Sequence, residues 1–169
     1  VYSRVDQEFG GLDFVVHGAA FAPREELSLP FSDTSREGFR TALDISAYSL
    51  IALAKGAAPL MERRGGGSIV TLTYLGSERV FPNYNVMGVA KAALEACVRY
   101  LAADLGKQGV RVNAISAGPM RTLAGSAVGD ARLVFKWNKA HSPLKKNIEL
   151  DHVGGAALYL LSDLSAGVT

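Results

Sequence analysis

Residues 68–91 read SIVTLTYLGSERVFPNYNVMGVAK: a strand, a loop and the first turns of a long helix. SIVTLTY, residues 68–74, is apolar and β-branched, the pattern of a strand buried on both faces. Gly76 and Pro82 punctuate the loop. From Tyr84 onward apolar residues return at helical spacing, through Val86, Val89, Ala90, Leu94, Val98 and Leu101. Tyr84 and Lys91 stand seven positions apart, so two helical turns place them on one face. Tyr74 adds a second phenol at the end of the strand. A phenol is a weak acid near neutrality, with a reference pKa of about 10. A nearby cation favours the phenolate and lowers that value, so the spacing predicts a phenol tuned by an ammonium. An ordinary helix-surface pair is the plainer alternative.

Toward the N-terminus, residues 2–9 read as a helix end closed by Gly10 and Gly11. LDFVV, residues 12–16, is a second buried strand, and HGAAFAP, residues 17–23, is the loop after it. Small residues after a strand let backbone approach a ligand closely. His17 reads as a structural histidine. Residues 24–34 are polar with Pro30, a loop. A helix is expected to open near Thr34, with Glu37 completing a capping box. The apolar pattern from Phe39 to Met61 is expected to divide into two segments, the second packed on the sheet. Arg63 and Arg64 read as a solvated last turn favoured by the helix dipole.

Toward the C-terminus, VRVNAIS, residues 110–116, is a third strand. AGPMRTLAG follows it as a loop at a strand's C-terminal end, where open α/β sheets bind ligands. Thr122 there also suits a helix N-cap. Leu133, Val134, Phe135 and Trp137 form an amphipathic segment, and Asp151 is placed to cap a last helix. Three strands separated by helices imply parallel crossovers and one doubly wound sheet. The fold class is therefore α/β, a Rossmann-type sheet in a single partial domain over residues 1–169. The phosphate-binding glycine turn of such a fold is not found, nor an acidic residue for the adenosine ribose. The chain is thus expected to lack the first βαβ unit and to start inside a domain.

The 169 residues suffice for one cored domain, and 49% hydrophobic with 20% charged residues describes a globular chain. A net charge of +2 gives no footing for nucleic acid or an anionic membrane as partner. No apolar run reaches the length of a membrane span, and no metal-ligating cluster is seen. The lone Cys97 reads as a buried thiol, in keeping with a reducing cytosol.

Tyr-x6-Lys on a strand–loop–helix resembles the short-chain dehydrogenase/reductase superfamily. Two longer runs, TYLGSERVFPNYNVMGVAKAALEACVRYLAADLG and VRVNAISAGPMRTLA, resemble one branch of it, the bacterial and plastid NADH-dependent enoyl-[acyl-carrier-protein] reductases. The resemblance covers nearly the whole chain. It implies hydride transfer from NADH to a trans-2-enoyl thioester borne by acyl carrier protein, in type II fatty acid biosynthesis. It further implies a cytoplasmic homotetramer, and that the chain also lacks the last strand. By this resemblance Tyr84 and Lys91 are catalytic, and Tyr74 orients substrate, near the place where ordinary superfamily members carry a serine. Lys91 would hold the nicotinamide ribose. Ala19 and the run Met120, Arg121, Thr122, Leu123 and Ala124 would border the dinucleotide, and Ala22 the acyl substrate. Gly125 and Gly129 would loosen a lid over the acyl chain. Two alternatives stay open: a ketone or alcohol dehydrogenase of the same superfamily, against which Tyr74 argues, and a non-catalytic fragment.

Overall fold

The computed structural model describes residues 1–120, 122 and 131–169. The expectations for Arg121, Leu123, Ala124, Gly125 and Gly129 fall outside the described residues. The described elements run α1 (Tyr2–Phe9), β1 (Phe14–His17), α2 (Arg24–Ser28), α3 (Arg36–Leu43), a π-helical turn (Asp44–Tyr48) and α4 (Ser49–Glu62). Then come β2 (Gly67–Thr73), α5 (Asn85–Leu105), β3 (Val110–Ser116), α6 (Ala131–His141) and α7 (Leu150–Leu161). The strands form one parallel sheet in the order β1-β2-β3.

The register explains where the core sits and where it stops. Val15, Ile69 and Val112 lie side by side across the sheet. They face a cluster built by Leu50, Ala54 and Met61 of α4 and Leu94 and Val98 of α5. Ile69, Leu50 and Leu94 are fully buried, and truncating any one to alanine costs about 2–5 kcal/mol. Two residues along, on the same face by the alternation of a strand, stand His17, Thr71 and Ala114, and then Thr73 and Ser116. This face thus changes from apolar to polar toward the C-terminal strand ends. α7 covers the opposite face, where Ser68 Oγ donates to Leu160 O at 2.8 Å. Phe14 and Val16 on β1 remain about half exposed.

Several boundaries differ from expectation for local reasons. β1 begins two residues late because Leu12 N–H donates to Leu60 O and Asp13 O accepts from Ser68 N–H, which bends the chain into the sheet. His17 is therefore the last strand residue and not the first of the loop. Residues 24–34 hold α2 and a 3₁₀ turn at Phe31–Asp33. Ser35, not Thr34, caps α3, accepting from Gly38 N–H at 2.9 Å; Glu37 pairs with Arg40 instead of closing a capping box. The long apolar span does divide, at the π-turn. Arg63 and Arg64 are not merely solvated. Arg63 pairs with Asp6, and Arg64 Nη2 donates to Phe9 O at 2.7 Å, so both tie α4 to the end of α1. Glu149, not Asp151, caps α7, its N–H donating to His152 Nδ1 at 3.0 Å.

Candidate active site

At the C-terminal end of β2 the rings of Tyr74 and Tyr84 meet, and Lys91 reaches the same strand through Leu72 O. Tyr74 follows the last strand residue and opens a 3₁₀ turn, Leu75–Ser77. Asn83 and Asn85 both hold positive φ, 61° and 40°, so the chain turns sharply on either side of Tyr84 before entering α5. Asparagine tolerates that region better than most residues. Asn85 also donates from Nδ2 to Glu26 O and Leu29 O, tying the start of α5 to α2. Tyr84 sits at the N-cap of α5 and is 8% exposed. Its ring meets Tyr74 edge-on at 5.2 Å between centroids, and Tyr74 lies at the same separation from Phe81.

Two glycines allow this packing. A Cβ on Gly76 would enter the Tyr84 ring, and one on Gly88 would stand 2.8 Å from Gly76 O. The turn after β2 can therefore lie directly on the first turn of α5. An apolar cavity of about 430 Å³ borders this contact, walled by Val80, Phe81, Tyr84 and Val89. Lys91 does not line it, so it lies to one side of the place where tyrosine and lysine meet the sheet end.

Lys91 is 7% exposed, and its Nζ donates to Leu72 O at 2.7 Å. Burial holds its pKa below the usual lysine value, while Glu95 one turn on acts the other way. Glu95 is itself fixed, accepting from Thr73 Oγ1 and Ser77 Oγ, each at 2.6 Å. The expected influence of Lys91 on the phenol is not what the structure gives. Burial first, and then the facing Tyr74, push Tyr84 well above the ordinary phenol value. Tyr74 is raised by burial alone. Low polarity disfavours the anion, and the lysine charge does not reverse it. The group that does feel Lys91 is His17, whose pKa is lowered by burial and then by that cation.

His17 is 1% exposed, with Nδ1 2.7 Å from Thr71 Oγ1 and Nε2 2.8 Å from Ser49 Oγ. A neutral imidazole has one donor and one acceptor nitrogen. Ser49 gives its proton to Ile45 O at 2.6 Å, so it accepts from Nε2–H; Nδ1 is then the acceptor, and the single Thr71 Oγ1 proton is shared between it at 2.7 Å and His17 O at 3.2 Å. Both nitrogens are used within the fold, as a structural histidine requires.

Beyond His17 the backbone emerges. Ala19 is exposed and Ala22 half-buried, at the same end of the sheet as Tyr74 and Lys91. Met120 and Thr122 are half-buried after β3, with Thr122 N–H donating to Met120 O at 3.0 Å. Among the described residues, the stretch after β1, the turn after β2, and Met120 and Thr122 after β3 all follow the C-terminal ends of parallel strands. Sequence reading missed Ser46, Ser49, Glu95, Asn85 and the glycine contact. A small polar residue inside an apolar helix, as at Ser46 and Ser49, was the available signal.

Trp137 is 61% exposed and stacks on His141, with ring centroids 4.4 Å apart. Cys97 is half-buried against the core and its thiol pKa is raised by burial. Among the described residues no group of three or more His, Cys, Asp or Glu could hold a metal ion, and no helix is long and apolar enough to cross a membrane.

Known proteins resemble this chain in sequence and fold. A family model described as Enoyl-(Acyl carrier protein) reductase matches residues 1–169. The enoyl-[acyl-carrier-protein] reductase [NADH] 1 of Rhizobium meliloti is 57% identical over all 169 residues, which span 61% of that protein. The Rickettsia conorii reductase [NADH] is 54% identical, with 64% of it covered. A crystal structure of the Anaplasma phagocytophilum reductase in complex with NAD superposes with a TM-score of 0.94 at 57% identity, over 99% of this chain and 63% of that one. The Bacillus cereus reductase with NADP+ and indole naphthyridinone gives 0.96 at 52% identity, over 99% and 65%. The chain thus spans a little under two thirds of the relatives it matches, and the α/β sheet is that of the Rossmann-fold reductases. Over residues 1–169, the chain belongs to the enoyl-(acyl carrier protein) reductase family.

Proposed function

We propose that this protein reduces trans-2-enoyl thioesters carried on acyl carrier protein, with NADH as hydride donor. The observation that carries the reading is the buried Tyr84 phenol beside Tyr74, one sheet end shared with a lysine that keeps free donors. A lysine ammonium has three N–H donors. Lys91 gives one to Leu72 O, which leaves two for a vicinal diol such as the nicotinamide ribose. The donor set therefore fits a dinucleotide, and we assign Ala19, Met120, Arg121, Thr122, Leu123 and Ala124 to its border by the family resemblance, a reading supported by Ala19 and Met120 following the C-terminal ends of β1 and β3. NADH, when bound, supplies the hydride that adds to the β-carbon of the enoyl group.

The protein's own part follows from the phenol. Negative charge develops on the thioester carbonyl oxygen as the β-carbon is reduced. Tyr84, kept un-ionised by burial, donates its O–H to that oxygen. Proton donation by a positioned acid gives about 10²–10⁴-fold. Lys91 acts by holding the ribose, and its charge favours electron density at the same place. Tyr74 packs on the Tyr84 ring, so it fixes the phenol's direction and borders the acyl group with Ala22.

The same reading takes the 169 residues as part of a single reductase domain in a cytoplasmic homotetramer. Exposed apolar side chains on the long helices, Tyr100 on α5 and Ile51 on α4, support a subunit contact. The names of the relatives support NADH, although one solved neighbour holds NADP+. The test is NADH consumption by the intact protein on a short trans-2-enoyl thioester beside a ketone. Turnover of the thioester alone is expected. Preference for the ketone would favour the dehydrogenase alternative, and turnover of neither would leave a non-catalytic role.

A further inference from the structure

We infer that the π-turn Asp44–Tyr48 is a positioning device, whose Ser46, together with Ser49 just beyond it, sets the path of residues 17–21. The inference rests on the reading that this path borders the dinucleotide and the thioester. A π-turn is a rare interruption of an α-helix, frequent at functional sites. Here Ser49 N–H reaches back five residues to Asp44 O. The turn places two serine hydroxyls against the strand end. Ser46 is fully buried and grips Phe21 by both backbone groups, accepting from its N–H at 3.0 Å and donating to its C=O at 3.2 Å. Ser49 holds His17 through Nε2 at 2.8 Å.

The two serines therefore clamp the two ends of one five-residue stretch. Between the clamps Gly18, Ala19 and Ala20 are exposed, with their backbone at the sheet end. Met87 Sδ lies 3.9 Å from Ser46 Oγ, and Met87 N–H donates to Tyr84 O, so the same hydroxyl adjoins the first turn of the tyrosine–lysine helix. A helix without the inserted residue would turn these hydroxyls away by part of a turn, since each residue rotates the face by a fixed angle. Phe21 is 50% exposed, so its side chain contributes little anchoring and the backbone grip supplies the placement.

The test compares Ser46→Ala and Ser49→Ala with Ala57→Gly, a core change on α4 away from the clamps, in the intact protein. Readouts are melting temperature, NADH dissociation constant by nicotinamide fluorescence, and KM and kcat on a short enoyl thioester. Ser46→Ala is expected to raise the NADH dissociation constant and the thioester KM about tenfold, with kcat within twofold, through the loss of two hydrogen bonds. Ser49→Ala should act in the same direction and less strongly. Ala57→Gly should lower the melting temperature without moving either constant. If Ser46→Ala and Ser49→Ala lower only the melting temperature, the serines are packing groups and the proposal is overturned. A fall in kcat at constant KM would also overturn it. Should wild type bind no NADH, the functional reading fails and the positioning role fails with it; normal wild-type binding with silent variants isolates failure to the clamp.

Discussion

Lys91 and His17 are both buried nitrogen bases at one end of the sheet, yet the fold treats them in opposite ways. Lys91 donates one hydrogen bond to Leu72 O and, among the described residues, keeps two donors. His17 uses both ring nitrogens on Thr71 and Ser49 and keeps nothing. The first arrangement leaves a group ready for a ligand; the second makes a cross-link between β1, β2 and α4. Burial lowers the pKa of each, so a perturbed titration by itself does not separate function from structure. Unspent donor capacity does.

The largest effect should fall on the α5 side. Tyr84→Phe removes the donor while keeping the ring that packs on Tyr74 and Gly76. We expect kcat on an enoyl thioester to fall about 10²–10³-fold with NADH affinity unchanged. A variant that keeps wild-type kcat would remove Tyr84 from the chemistry and blur the distinction between the two sides.

Gly88→Ala probes the same side through backbone. Alanine gains about 1 kcal/mol of helix propensity over glycine. Its Cβ would stand 2.8 Å from Gly76 O, however, and a carbonyl in a tight turn cannot rotate aside as a side chain can. A net loss of about 1–2 kcal/mol in urea unfolding is expected. At Gly154 in α7 a Cβ meets nothing, so Gly154→Ala should stabilise instead. Equal effects at the two positions would contradict the close approach.

The smallest effect concerns His17. Its folded pKa lies below the ordinary value of about 6.5, so between those two values the unfolded chain binds a proton that the native state does not. Stability from this residue is therefore complete above about pH 6.5 and is lost as pH falls toward the folded value. His17→Asn should flatten the slope of unfolding free energy between pH 7 and 5. The same slope in both proteins would show that His17 is not the neutral cross-link described.

The α5 side was legible from sequence because residue type and helical spacing single out Tyr84 and Lys91, and both lie with Tyr74 near the C-terminal end of β2. The three strands were legible from their apolar runs, with ends off by one or two residues where Asp13 and Leu12 pair outside the ladder. The β1 side was not legible. Ser46 and Ser49 are ordinary residues in an apolar helix, and only the π-turn tells which way they point. The direction of the phenol shift also escaped, because spacing shows that a cation is near but not how deeply the phenol is buried. Arg63 and Arg64 were misread since their partners, Asp6 and Phe9, are more than fifty residues away in sequence.

The most direct measurement is a fluorescence titration of the intact protein with NADH, wild type beside Lys91→Met. Hydrogen bonds to a charged group contribute about 1.5–3 kcal/mol, so an affinity loss of about ten- to a hundredfold is expected, with the fold retained. Unchanged affinity in a folded Lys91→Met variant would contradict it, since the two open donors at the end of β2 would then have no ribose to hold.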